Sequence, residues 1–104
     1  MKKIFNELLN ESYYKYTLSN GLTVLFFPKP LIKRSYAMLT VKYGSIHQEF
    51  KFYGSDDIIT TPAGVAHFLE HKMFEQENGV NSLDALTALG VEANAYTTND
   101  HTAY

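Results

Sequence analysis

Hydrophobic and polar positions alternate or recur along most of the chain, and each rhythm predicts an element. Ile4, Phe5, Leu8 and Leu9 recur at helical spacing and predict a short amphipathic helical turn over residues 4–11. Tyr14–Leu18 and Leu22–Phe27 flank Ser19-Asn20-Gly21 and predict a β-hairpin, with Asn-Gly suited to a tight type I′ turn. The second of these strands is apolar on both faces (Leu22, Val24, Phe26 and Leu25, Phe27), which predicts a place inside a sheet, and Pro28 and Pro30 end it. Ser35–Tyr43 alternates as a third strand closed by Gly44-Ser45, and residues 46–60 have no clean period and predict a loop. Thr61-Pro62 opens a helix expected to run to about Gln76, with Thr as N-cap and Pro at the first helical position. A second helix starts at Ser82 with Asp84 in its first turn and stops at Gly90. Val91–Thr98 returns as a strand, Asn99-Asp100 turns, and His101–Tyr104 starts another strand that runs to the last residue unclosed. The expectation is a piece of a longer chain.

Composition narrows the possibilities. The 104 residues, 45% apolar, suit one folded domain, and charged residues at 19% are too few for a disordered segment. Eight Tyr and seven Phe bring large apolar side chains to a small core. A net charge of −2 excludes a broadly basic nucleic-acid binder, and no apolar run is long enough to span a membrane. Asn6, Glu7, Asn10 and Glu11 interrupt the apolar stretch a secretory leader would need, so the expected location is cytoplasmic. The absence of Cys excludes disulfides, thiolate metal sites and cysteine nucleophiles. Any metal must therefore be held by His and carboxylate.

The chemistry concentrates on the first helix, where His67, Glu70 and His71 form H-x-x-E-H. At about 100° per residue, His71 lies about 40° round from His67 and Glu70 about 60° to the other side. Two imidazoles at i and i+4 can reach one Zn²⁺ at about 2.0–2.1 Å. A neighbouring carboxylate can then take the proton from a zinc-bound water, whose pKa the metal lowers toward about 7. Val65, Ala66, Leu69 and Met73 fall on the other side and predict a packing face separate from the chemical one, with apolar surroundings keeping the site dry. On the residues alone, a solvated helix face with an incidental i,i+4 His pair is the rival reading. A catalytic zinc also needs three protein ligands. Glu75, eight residues and about 12 Å of helix rise beyond His67, is too far to be the third.

H-x-x-E-H is the inverzincin signature, and its setting here is more specific than the motif. Ser19-Asn20-Gly21-Leu22-Thr23-Val24, Val41-Lys42-Tyr43-Gly44-Ser45 and Gly64-Val65-Ala66-His67-Phe68-Leu69-Glu70-His71-Lys72-Met73-Phe74 occur in that order. Leu89-Gly90, Asn94-Ala95-Tyr96-Thr97-Thr98 and Asp100-His101-Thr102-Ala103-Tyr104 follow. This series, over about residues 16–104, resembles the pitrilysin/insulinase family of zinc metallopeptidases, which includes the mitochondrial processing peptidase.

The resemblance implies that His67 and His71 bind one zinc ion, that Glu70 is the general base, and that the third ligand is a Glu on a later helix, beyond Tyr104. It implies that Asn94, Ala95 and Tyr96 belong to an edge strand on which a peptide substrate lies as an added strand. By itself Tyr96 reads equally well as a core aromatic. The longer segment after Gly44-Ser45 and the acidic Glu75 depart from the family pattern, away from the zinc face. His47 is then expected to be a surface residue and His101 a strand or turn residue.

The expected fold is α+β, a mostly antiparallel sheet with helices packed on one face, residues 1–104 forming the N-terminal portion of a larger metallopeptidase domain. The implied activity is zinc-dependent hydrolysis of short or unfolded peptides, with a second homologous domain or subunit closing the chamber. The fragment alone is expected to be inactive and to self-associate through its open sheet edges. A non-catalytic subunit that binds peptide without cleaving it is the alternative, disfavoured by the intact His67, Glu70 and His71. S-ribosylhomocysteine lyase shares H-x-x-E-H but uses a Cys ligand, and no Cys occurs here.

Overall fold

A computed structural model describes all 104 residues, which divide into two units, Met1–Tyr36 and Ala37–Tyr104. The chain is α+β, with antiparallel sheets and two helices. No helix is long and apolar enough to cross a membrane.

The first unit is a three-stranded antiparallel sheet in the order β1 (Lys2–Asn6), β2 (Glu11–Thr17), β3 (Thr23–Phe26). The helical turn expected over residues 4–11 is instead a hairpin, with Ile4 opposite Tyr13 and Asn6 opposite Glu11. Its asparagines account for the difference. Asn6 Oδ1 accepts from the Leu9 amide at 3.1 Å, and Asn10 takes the left-handed conformation (φ 50°) that asparagine tolerates. Leu8 and Leu9, which suggested a helical face, sit exposed at the turn.

The β2–β3 hairpin forms as expected, with Tyr14 opposite Phe26 and Thr17 opposite Thr23, but its turn is not type I′. Only Gly21 has positive φ (87°), and Leu18 and Leu22 close a three-residue loop through the Leu18 amide at 2.8 Å. That is a type I turn ending in a glycine bulge. β3 is an outer strand rather than an interior one, because the β1 hairpin puts β2 in the middle. Cross-strand stacking tightens both faces: Tyr13 on Phe27 at 4.9 Å and Tyr14 on Phe26 at 6.3 Å between centroids.

The second unit is built on β8 (Thr102–Ala103), flanked by β4 (Thr40–Val41) and β7 (Tyr96–Thr97). Both flanking strands are shorter than their alternation predicts. Leu39 and Tyr104 exchange backbone hydrogen bonds at 2.9 Å and extend the β4–β8 ladder by one pair. The central strand holds the deepest residues, Thr102 and Ala103, at 3% and 1% exposure. The stretch 46–60 is not wholly loop: β5 (Glu49–Phe50) and β6 (Ile59–Thr60) pair, and Phe50 meets Tyr43 edge-on at 5.5 Å. A two-residue ladder has no periodicity to detect.

Helix α1 spans Val65–Lys72, shorter than expected at both ends. Gly64 (φ 94°) caps it in place of Thr61, since a left-handed backbone cannot continue a helix. Beyond Met73 the chain leaves the helix for a turn in which Glu75 bridges Asn81 and the Gln76 amide donates to Val80 at 3.0 Å. Helix α2 (Ser82–Ala88) has the expected ends. Asn81 Oδ1 accepts from the Leu83 amide at 2.8 Å, and the Gly90 and Val91 amides donate to Thr87 and Leu86 in a Schellman motif.

Gly44 locks the exit of β4 to the β7–β8 turn. A Cβ there would lie 2.6 Å from the backbone of Asn99 and Asp100. The next two amides, of Ser45 and Ile46, donate to Thr98 and Asn99 at 3.1 and 3.0 Å. The Gly44 amide itself donates to Nδ1 of His47, which is half-buried rather than a free surface residue.

Two stability outcomes follow from these contacts. Gly44→Ala forces a methyl against rigid backbone and should cost at least the ~1–3 kcal/mol typical of overpacking; an unchanged denaturation midpoint would contradict the close approach. Asn81→Ala removes the α2 cap and should cost about 1 kcal/mol, with Asn81→Ser recovering most of it in the same denaturant titration.

Candidate metal centre

The i,i+4 geometry of α1 brings the two histidines together: His67 Nε2 and His71 Nε2 are 3.0 Å apart, with ring centroids 4.7 Å apart. Both rings are exposed. At that distance a proton on one Nε2 points to the lone pair of the other. A tetrahedral Zn²⁺ with nitrogens at about 2.0–2.1 Å holds two such atoms about 3.3 Å apart. The pair thus fits two ligand positions after an opening of a few tenths of an ångström. No three His, Asp or Glu side chains of the chain converge into a complete set of ligands.

Glu70 lies elsewhere on the same helix. It is 7% exposed and shares with Ala66 (4%) the face of α1 that meets β7 and β8. The expected division into a chemical face and a packing face therefore does not hold. Leu69 and Met73, assigned to the packing side, are 46% and 62% exposed and line an open apolar pocket of about 340 Å³ with Leu39, Val41 and Tyr104. The buried positions are the small Ala66, which lets the helix approach the sheet, and Glu70, which the sheet supplies with a donor. The Thr97 hydroxyl donates to Glu70 Oε2 at 2.8 Å. Nor is the surrounding of the histidines dry and apolar, since both rings face solvent.

The charge on Glu70 reaches one further neighbour. The Tyr104 phenol is pushed above its ordinary pKa, mainly by burial and secondarily by the negative charge of Glu70. Its ring also lies 5.7 Å from that of Phe74. Glu75 is clear of the site and pairs with Lys72.

Asn94 and Ala95 lead into β7, whose outer edge carries no partner strand. Asn94 Oδ1 accepts from the Ala95 amide at 2.9 Å. Tyr96 is 48% exposed with its ring edge-on to His101 at 5.8 Å, so it is not a core aromatic here. These three residues precede Thr97, the residue that touches Glu70, so the strand edge begins beside the carboxylate. His101 belongs to the β7–β8 turn: its Nδ1 lies 2.7 Å from Asp100 Oδ1 and 2.9 Å from Thr98 Oγ1. The hydrogen bond to His101, followed by that to Thr98, holds the exposed Asp100 carboxyl below its usual range.

Two residues of the site were not singled out from the sequence, Thr97 and Thr102. They are cross-strand partners in the β7–β8 ladder with hydroxyls 3.3 Å apart. Both lie within the blocks that carry the family resemblance, but nothing in their spacing marks a chemical role.

Comparison with known proteins identifies the family. Residues 23–104 match the model of the family described as Insulinase (Peptidase family M16). The chain is 41% identical over its whole length to the uncharacterized zinc protease YmfH of Bacillus subtilis, of which it covers 24%. It is 44% identical over 54 residues, 49% of its length, to the uncharacterized zinc protease ML0855 of Mycobacterium leprae, and covers 12% of that protein. The same figures hold for the uncharacterized zinc protease Rv2782c of Mycobacterium tuberculosis. The chain thus spans about a quarter of the length of the Bacillus relative and less of the mycobacterial ones. No solved structure matches it significantly. The matched family model covers most of the chain and contains the H-x-x-E-H helix, and the chain belongs to the insulinase family, peptidase family M16.

Proposed function

We propose that the protein containing this chain is a zinc-dependent endopeptidase acting on short or unfolded peptides, with residues 1–104 forming the N-terminal portion of its peptidase domain. The observation that carries the reading is the 3.0 Å convergence of His67 and His71 Nε2 on the helix that also presents Glu70. His67 and His71 would hold the zinc ion, with a third ligand, a Glu by family resemblance, supplied from beyond Tyr104. Zinc, when bound, supplies a Lewis acid that polarises the scissile carbonyl and acidifies water. That the relatives are named zinc proteases supports that metal.

The chain's own residues account for the remaining roles. Glu70 accepts the proton of the attacking water and returns it to the leaving amine. Asn94, Ala95 and Tyr96 offer the open edge of β7 to an extended peptide, whose backbone adds as a further strand. Strand addition recognises main chain rather than side chains, which suits unfolded peptides. The exposed apolar residues around the pocket (Leu39, Val41, Leu69, Met73) and the open strand edges are surfaces that further chain or a second homologous domain would cover.

In the whole protein, Glu70→Gln should keep stoichiometric zinc by metal analysis while peptide turnover falls by about 10²–10⁴. His67→Ala should lose zinc and turnover together. Undiminished hydrolysis by Glu70→Gln would remove the general-base assignment. The 104 residues alone, with their edges uncovered, should self-associate at micromolar concentration. A monomer by light scattering would count against open edges.

A further inference from the structure

The buried carboxylate of Glu70 is held by one hydroxyl, that of Thr97, whose single proton has its nearest acceptor there. The Thr102 hydroxyl lies 2.8 Å from the Tyr43 carbonyl oxygen, a group that can only accept. A hydroxyl has one proton, so that of Thr102 is committed to Tyr43, and its oxygen offers Thr97 lone pairs only. Thr97 therefore cannot receive a proton from Thr102 across the 3.3 Å between their oxygens. The Thr97 proton goes to the closer acceptor, Glu70 Oε2, at 2.8 Å. Thr102 is 3% exposed and Glu70 7%, so water does not compete freely for these positions.

The two oxygens of Glu70 are thereby made unequal. Oε2 is bonded to Thr97, whereas Oε1 makes no hydrogen bond to the protein. No buried side-chain polar atom lacks a partner, so Oε1 keeps contact with solvent. A carboxylate that turned freely about its last bond would present either oxygen in many directions. One anchored at Oε2 presents the other in a single direction.

We infer that Thr97 is the positioning residue of the general base: its hydroxyl anchors Glu70 Oε2 and leaves Oε1 to receive the proton. This rests on the reading of Glu70 as the base. β7 then has two tasks, with its edge reserved for peptide and the Thr97 side chain orienting the carboxylate that acts on that peptide. The coupling is short, because Tyr96 and Thr97 are adjacent.

The test compares Thr97→Val with Thr97→Ser in the whole protein. Valine keeps the shape and suits a strand as well as threonine does, so it removes the hydroxyl and little else. Thr97→Val should bind zinc as the wild type does and keep KM, while kcat falls by about 10–100-fold, the usual cost of losing an outer orienting partner. Thr97→Ser should recover most of that loss. In crystals of the metal-free protein, the Glu70 carboxylate should keep its place in Thr97→Ser and leave it in Thr97→Val. Thr97→Ala removes the same hydroxyl and replaces Thr97→Val if the latter does not fold. Wild-type kcat in Thr97→Val, or a Glu70 carboxylate unmoved in that variant, overturns the inference. A wild-type protein that neither binds zinc nor cleaves peptide overturns the peptidase reading instead, and the Glu70 position in the two variants still decides whether Thr97 is the anchor.

Discussion

The second unit depends on accommodating one carboxylate on the packed side of a helix. Glu70 faces β7 and β8 beside Ala66, where an ionised group without a partner would be costly to bury. The Thr97 hydroxyl meets that cost with a hydrogen bond to the charged oxygen, the stronger kind. The strand pairing makes this possible, because Thr97 sits opposite Thr102 in the β7–β8 ladder. Helix and sheet are therefore joined through a polar contact at Glu70 as well as through the small Ala66.

Other features serve to keep that sheet in place. Gly44 allows the β4 exit to lie against the Asn99-Asp100 turn, and the Ser45 side chain ties to Asn99 Oδ1 at 3.1 Å. The Tyr43 carbonyl, at the same exit, accepts from the buried Thr102 hydroxyl. Meanwhile the helix presents His67 and His71 to solvent, where a metal can be approached. One helix thus divides by depth, with two imidazoles outside and a carboxylate inside.

Much of this was legible in the sequence, and the parts that were not have physical reasons. The H-x-x-E-H spacing predicts the Nε2 convergence because helix geometry alone fixes i,i+4 neighbours. Asp84 and Gly90 mark α2 because the preferences of helix ends are local chemistry. The first hairpin was misread because Leu8 and Leu9 fit a helical period, whereas Asn6 and Asn10 decide the turn by side-chain and left-handed backbone geometry. The division of α1 into faces failed because periodicity ranks residues by polarity and sends every Glu outward. Whether a carboxylate is buried depends on a donor 27 residues away, which no local pattern reveals.

The central claim is that His67 and His71 together bind the metal of a peptidase. Zinc K-edge X-ray absorption on the whole protein tests it most directly. The account predicts two imidazole nitrogens at about 2.0–2.1 Å with the remaining positions taken by oxygen, and loss of imidazole scattering when both histidines are replaced. A zinc shell without imidazole, or one unchanged by that double replacement, would contradict it.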